Sequence, residues 1–274
     1  MKTLTRISTL LLAAGALAWM APSYADQLAD IKAKGVLVCG VMPNVEPMGY
    51  MDMSKGVVVG YDVDFCRAVA TSLGVKLELK VVSSEARIPE LLEKRVDILA
   101  AILGYTPARA EQIDYSQAYF ASNQILAVKK GSPLKVRDDV AGKRVSTMKG
   151  SSNLVLMHRE IPTAKMVSYD DAPSAFISMA QGKVDAFVLS EVMLRRFAAK
   201  LGDGNSIEIL KPAVGVEYWG LGVRKGEPQF LAAVNDALSH LETTGDAQKI
   251  FDTWLGPNTL YKMTRDFRVS PIQP

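Results

Sequence analysis

The chain has 274 residues, 49% hydrophobic and 22% charged, which is enough to bury a real core and leaves room for one large domain or two modest ones. Its formal net charge is +3, but removing Lys2 and Arg6 of an N-terminal leader from the 32 basic residues leaves 30 against 29 acidic ones, a net charge of about +1. With no Lys/Arg run elsewhere, no nucleic-acid partner is expected. Two histidines and two cysteines cannot build a His cluster or a Cys/His zinc site, so no metal or other cofactor is expected.

Residues 1–25 read as a cleaved signal peptide. Residues 10–20 are apolar but too short to cross a membrane, and Ser23-Tyr24-Ala25 is a small-x-small cleavage site before Asp26. No Cys follows that site, so a soluble exported protein of the periplasm is the expectation. Cys39 falls in a predicted strand and Cys66 on the next helix. An oxidising compartment would permit a disulfide, but two separately buried thiols are expected, since free Cys packs as a small hydrophobe.

In chain order, residues 27–34 read as a helix stopped by Gly35, and 36–41 as a strand. Residues 43–48 form a loop without periodicity, and 55–56 a hairpin turn before 57–59. Residues 61–73 are helical, with Phe65, Val69 and Leu73 on one stripe and Gly74 at the C′ position. Residues 75–81 alternate as a half-buried strand; 88–92 are helical and 96–102 form the next strand. This is β-α-β-α-β, and right-handed crossovers make its sheet parallel. A second unit repeats the plan: strands at 125–128, 144–148, 165–168 and 184–189, with helices after Ser152, around 175–179 and from Glu191 to Lys200. Arg95-Val96-Asp97 is echoed by Lys183-Val184-Asp185. Residues 216–223 are extended, and two closing helices end at Gly245 and before Gly256-Pro257. The tail beyond Arg265 is weakly patterned.

Four features are candidates for ligand contact. Arg109 follows the apolar run 98–102 and Gly104-Tyr105-Thr106-Pro107; it places a planar cation at the end of a parallel strand, where open α/β sheets bind ligands. A surface Arg just inside a helix start is the plain alternative. Lys149-Gly150-Ser151-Ser152 joins a strand to a helix and offers free N–H groups to an anion, or simply caps the helix. Glu191, at the exit of a buried strand, could receive an ammonium or complement a helix dipole. The loop with Asn44 and Met48 could wall a pocket. Arg109 with the Ser151/Ser152 turn could hold one carboxylate, and Glu191 one ammonium, the two constant groups of an α-amino acid. No nucleophile elbow, phosphate loop or dinucleotide fingerprint is present.

The chain resembles the periplasmic solute-binding proteins, family 3, of ATP-driven polar amino-acid importers. The resemblance lies in Gly60-Tyr61-Asp62-Val63-Asp64-Phe65, in Arg87-Ile88-Pro89-Glu90-Leu91-Leu92 with Val96-Asp97-Ile98, and in Thr106-Pro107-Ala108-Arg109-Ala110-Glu111 with Asp114-Tyr115-Ser116. Gly142-Lys143-Arg144-Val145, the 149–152 turn and Asp252-Thr253-Trp254-Leu255-Gly256 extend it over nearly the whole mature chain. It implies an α/β, two-lobed type II binding-protein fold. Lobe 1 would be 26–119 plus 219–274, lobe 2 would be 123–214, and two hinge strands would lie near 119–123 and 214–219. It also implies a monomer that closes over an amino acid and is recognised by an inner-membrane permease.

By the resemblance, Arg109 grips the α-carboxylate, Ser151 and Ser152 donate backbone N–H groups to it, and Glu191 meets the ammonium. Gly104 stands where members often use a Thr or Ser for the carboxylate. Met48 falls where many members place an aromatic wall, and Asn44 lies in the same loop. Arg87 resembles the Arg that meets a side-chain carboxylate in acidic-amino-acid binders. An acidic or small polar amino acid is therefore the expected ligand. The alternative is a dehydratase of prephenate or arogenate type on the same scaffold, with Glu191 as a general acid.

Overall fold

The computed structural model describes residues 26–200 and 207–272. The expected signal peptide, 1–25, lies outside the described residues. Helix α1 (Gln27–Lys34) starts at Asp26, whose carboxylate accepts from Ala29 N, and ends at Gly35 with φ 68°. There follow β1 (Val36–Val41), three short strands β2 (Asn44–Val45), β3 (Gly49–Asp52) and β4 (Val57–Val59), α2 (Tyr61–Leu73), β5 (Lys76–Val81), α3 (Arg87–Leu92), β6 (Ile98–Leu99) and α4 (Pro107–Ala110). Strand β7 (Ile113–Lys129) leads through a 3₁₀ turn (Arg137–Val140) to β8 (Arg144–Met148), α5 (Asn153–Glu160), β9 (Lys165–Tyr169), α6 (Ala172–Ala180), β10 (Ala186–Ser190) and α7 (Glu191–Lys200). Strand β11 (Ile207–Arg224), α8 (Pro228–Thr244) and α9 (Asp246–Trp254) close the chain.

One eight-stranded sheet has the order β5-β1-β6-β11-β7-β10-β8-β9, and β2-β3-β4 form a separate antiparallel sheet. The groups β5-β1-β6 and β10-β8-β9 are each parallel, and the two central strands join them with antiparallel pairings. Seventeen and eighteen residues long, β7 and β11 pair with each other along most of their length. At ~3.3 Å per residue each reaches about 55 Å, enough to run through two lobes. Their register shifts between Leu210 and Gly215, and again around Gly220. This is the two-lobed, mixed α/β architecture expected from the sequence.

The echoed Asp has the same task twice. Asp97 exchanges bonds with Val38, its N–H donating to Val38 O and its carboxylate accepting from Val38 N. Asp185 does the same with Arg144. In each case the carboxylate satisfies a main-chain donor at the entry of a parallel strand, which a buried sheet must satisfy somehow.

Three expectations change. Cys39 and Cys66 are joined, not separate: a disulfide ties β1 to α2. The run 96–102 contributes only Ile98–Leu99 to the ladder, because Ile102 turns to φ 53° and its N–H is taken by the Asp62 carboxylate at 3.0 Å. The 43–48 loop contains β2, which pairs with β3 through Asn44 and Tyr50. The tail is less loose than its pattern suggests. Phe267 packs edge-on against Phe120, Arg265 pairs with Glu242, and Ser270 bridges Ala118 of β7. Around Phe120 the core is aromatic, with Trp219 stacked at 4.7 Å and Tyr61 edge-on at 5.3 Å.

Candidate functional site

Thr106 caps the single turn α4, accepting from Arg109 N, and Pro107 sits in its first turn. The turn fixes Arg109 beside the segment that leaves β6. Its guanidinium donates to Gly104 O at 2.6 Å and to Gly150 O at 2.7 Å. Gly150 belongs to the turn between β8 and α5, on the other side of the central strand pair, so this contact crosses the molecule. Gly150 itself has φ 66°, a conformation that favours glycine.

Arg87 reaches the same carbonyl, at 2.9 Å. Its remaining donors go to Ser84 O, Ser84 Oγ, Ala101 O and Ile102 O. All five N–H groups of a guanidinium are thereby engaged by the protein. Burial and the like charge of Arg109 push Arg87 down to about 9, which still leaves it protonated at neutral pH. Beneath it, Asp62 accepts from Tyr119 Oη at 2.7 Å as well as from Ile102 N. Burial raises Asp62 to about 7, against the opposing pull of those hydrogen bonds and of Arg87.

Ser152 occupies the N-cap position of α5 but makes no side-chain cap. Its hydroxyl donates instead to Glu217 of β11. Ser151 Oγ accepts from Asn153 N. Glu217 also accepts from Trp219 Nε1 at 2.8 Å. Desolvation raises its carboxyl, opposed by Trp219, Arg109 and Arg87. Gly104 lies against the same carboxyl, and a Cβ there would overlap Glu217 Oε1. Arg109, Gly104, Ser151, Ser152 and Arg87 are thus brought to one place.

Glu191 is not brought there. It accepts from Asn123 Nδ2 at 3.2 Å and from Arg195 at 2.7 Å. Burial pushes it up, but those bonds outweigh it and hold it below the ordinary carboxylate range. Asn123 pairs with Val216, whereas Glu217 pairs with Ser122. Neighbouring residues of a strand face opposite sides, so Glu191 and Glu217 lie on opposite faces of the β7–β11 pair. A cavity of about 490 Å³ on the Glu191 side is lined by Asn123, Arg195, Lys262 and Asp266 among others. Asn44 is exposed in β2, and Met48 is completely buried in the core. Glu46 of that loop reaches Arg196 of α7 at 3.3 Å, a second contact across the molecule.

Among the described residues, the buried side chains with an unpartnered polar atom include Gln124 (Oε1), Thr147 (Oγ1), Asn153 (Oδ1) and Ser190 (Oγ). Ser190 pairs directly with Gln124, and Thr147 and Asn153 sit on either side of the 149–152 turn. Buried polar atoms of this kind are normally satisfied by something. From the sequence only Ser190 is noted, as part of Ser190-Glu191 with the ligand role given to Glu191; Gln124 and Thr147 read as tolerated polar exceptions in apolar strands.

The model of the bacterial extracellular solute-binding proteins, family 3, matches residues 37–257. The chain belongs to this family. Among individual relatives, it is 27% identical over 237 residues to the ABC transporter glutamine-binding protein GlnH of Bacillus subtilis (strain 168), covering 85% of this chain and 86% of that one. It is 29% identical to the glutamate/aspartate import solute-binding protein of Salmonella typhimurium (strain LT2), covering 85% and 81%. Its structure matches an ancestral arginine-binding protein bound to arginine with TM-score 0.72 and 30% identity, over 81% and 99% of the two chains. An ancestral amino acid-binding protein described as a precursor of cyclohexadienyl dehydratase matches with TM-score 0.75 and 26% identity, over 85% and 100%. In this solute-binding protein the crossing at Gly150 is where the two sides of the sheet meet through cations.

Proposed function

We propose that this solute-binding protein captures a free amino acid between its lobes and delivers it to an inner-membrane ABC permease from the periplasm. The carrying observation is Arg109: one guanidinium held at the exit of a sheet strand and joined to Gly150, which starts the turn into α5 on the far side of the hinge pair. The lobes proposed are 26–119 with 219–274, and 123–214. The hinges are the β7 and β11 segments at 119–123 and 214–219, close to the register shifts of β11. Relatives named for glutamine and for glutamate/aspartate support an amino-acid ligand. They are named as binding proteins, so a receptor is favoured over a dehydratase. Arg87 has every donor engaged by the protein, so it has none left for the side-chain carboxylate expected of it; burial of Met48, which leaves no aromatic platform in that loop, and the cation of Arg109 support an acidic or small polar amino acid.

For the ammonium, the geometry favours the buried, unpartnered acceptors Ser190 Oγ and Gln124 Oε1 over Glu191, since Gln124 lies on the strand face that carries Glu217, the partner of Ser152. A monomer is the proposed state. Isothermal titration with L-glutamate, L-aspartate, L-glutamine and L-serine tests the reading. Binding of at least one in the micromolar range or tighter is expected. No binding by any of the twenty standard amino acids would remove it.

A further inference from the structure

The residues that the sequence marks for a ligand carboxylate are assembled around a carboxylate of the chain's own. Glu217 leaves β11 on the face that its partner Ser122 shares with Gln124. One of its oxygens accepts from Ser152 Oγ and the other from Trp219 Nε1 at 2.8 Å. The same oxygen that meets Ser152 lies where a Cβ on residue 104 would be. Gly104 in turn gives its carbonyl to Arg109. Glycine at 104 and glutamate at 217 are therefore complementary: one vacates the space that the other's carboxyl fills. The main-chain pairing of Glu217 with Ser122 needs no carboxylate at that position.

We infer that Glu217 is a specificity-determining residue, a tethered carboxylate that holds the place of a ligand's anionic head at Ser152 and Gly104 and must be displaced before such a head can bind. The inference rests on the reading that Arg109 marks the ligand site. Two carboxylates at one position disfavour each other's ionisation, and Glu217 is already bonded there. It sets a threshold that an anionic ligand must exceed and a neutral head group need not. The charged and titratable groups around it are Arg109 and Arg87, with Tyr115 electrostatically coupled to all three. Tyr105, Tyr218 and Arg159 line the roughly 300 Å³ cavity onto which Glu217 opens.

The test is calorimetry on the full mature chain with L-glutamate, L-aspartate, L-glutamine and L-serine, each paired with its α-carboxamide. Glu217→Gln, and Glu217→Ala as a second variant, should bind the free acids about 10- to 100-fold more tightly, the worth of a charge-assisted hydrogen bond. The carboxamides should gain less than about threefold by the same arithmetic. Arg109→Ala should abolish the gain in either background. If both variants bind the free acids no better than the unaltered chain while Arg109→Ala still abolishes binding, Glu217 is not a competitor, although the ligand site stands. An equal gain for acids and carboxamides overturns it too, because the effect is then steric. No binding of any of the twenty standard amino acids by any of these proteins removes the Arg109 reading and this inference with it. An independent check is thermal unfolding of Gly104→Ala. It should destabilise the unaltered chain and be tolerated beside Glu217→Ala; an equal loss in both backgrounds contradicts the contact.

Discussion

Arg87 offers a sharp test, because its geometry assigns it to the scaffold. It is 3% exposed, and its five donors serve four main-chain carbonyls and one hydroxyl. Arg87→Met keeps the stem and removes the fork. It strips Ser84 O, Ala101 O and Ile102 O of this partner, while Gly150 O keeps Arg109. The charged group is itself expensive to bury, so part of the loss is recovered when it goes. Ile102 O keeps Gly104 N, but leaving Ser84 O and the buried Ala101 O unpaired outweighs that recovery, and a net destabilisation of about 3–5 kcal/mol is expected. For a chain of this size that is a fall of roughly 6–20 °C in Tm. Arg87→Lys should recover less than half, because three donors on a point charge cannot span four carbonyls. Urea unfolding followed by the fluorescence of Trp219 and Trp254 measures both. A midpoint for Arg87→Met that corresponds to a loss under about 1 kcal/mol would refute the scaffold role.

Further outcomes follow from other contacts. Replacing Cys39 and Cys66 together by Ser should cost about 3.5 kcal/mol, from the 27-residue separation that the disulfide closes; chemical unfolding with and without reductant checks it. Asp62 rises from 3.8 to about 7 on folding, so it takes up a proton between those values. Its contribution is fully present below about pH 4 and is lost as pH rises through about 7. The Tm of the unaltered chain relative to Asp62→Asn should therefore fall between pH 5 and pH 8, by the equivalent of about 3 kcal/mol, and a constant difference would contradict it. Glu191→Gln should change ligand affinity by less than about threefold, since the carboxylate faces Asn123 and Arg195 rather than Arg109.

Helices were the most legible part of the fold. The apolar stripe of α2 and the glycines after α1, α2 and α8 carry their own physics, periodicity and a left-handed cap. The two long strands were legible only in pieces. Strand β7 passes from Tyr119 and Phe120 in one core to Leu126 and Val128 in another, with Ser122, Asn123 and Gln124 between. Alternation measured over a short window breaks where the buried face changes owner. The run 96–102 misled in the other direction, since burial without pairing looks the same in sequence.

The site divided along a similar line. Arg109 and the Ser151/Ser152 turn could be found because strand ends followed by Gly, Pro and Ser announce themselves. Glu217 could not, because a lone acid in an extended segment reads as solvent-facing. Glu191 was legible as a residue but not as a direction. One position separates the buried Ser190 from it, and the side to which each points is decided by β10 and its pairing with β7.

The central claim, an amino-acid receptor whose Arg109 holds the ligand's carboxylate, is tested most directly by titrating the unaltered chain and Arg109→Ala with the tightest-binding amino acid of the panel. A loss of about 2–5 kcal/mol of binding free energy is expected when this cation is removed. Equal affinity of the two proteins for that amino acid would contradict the account.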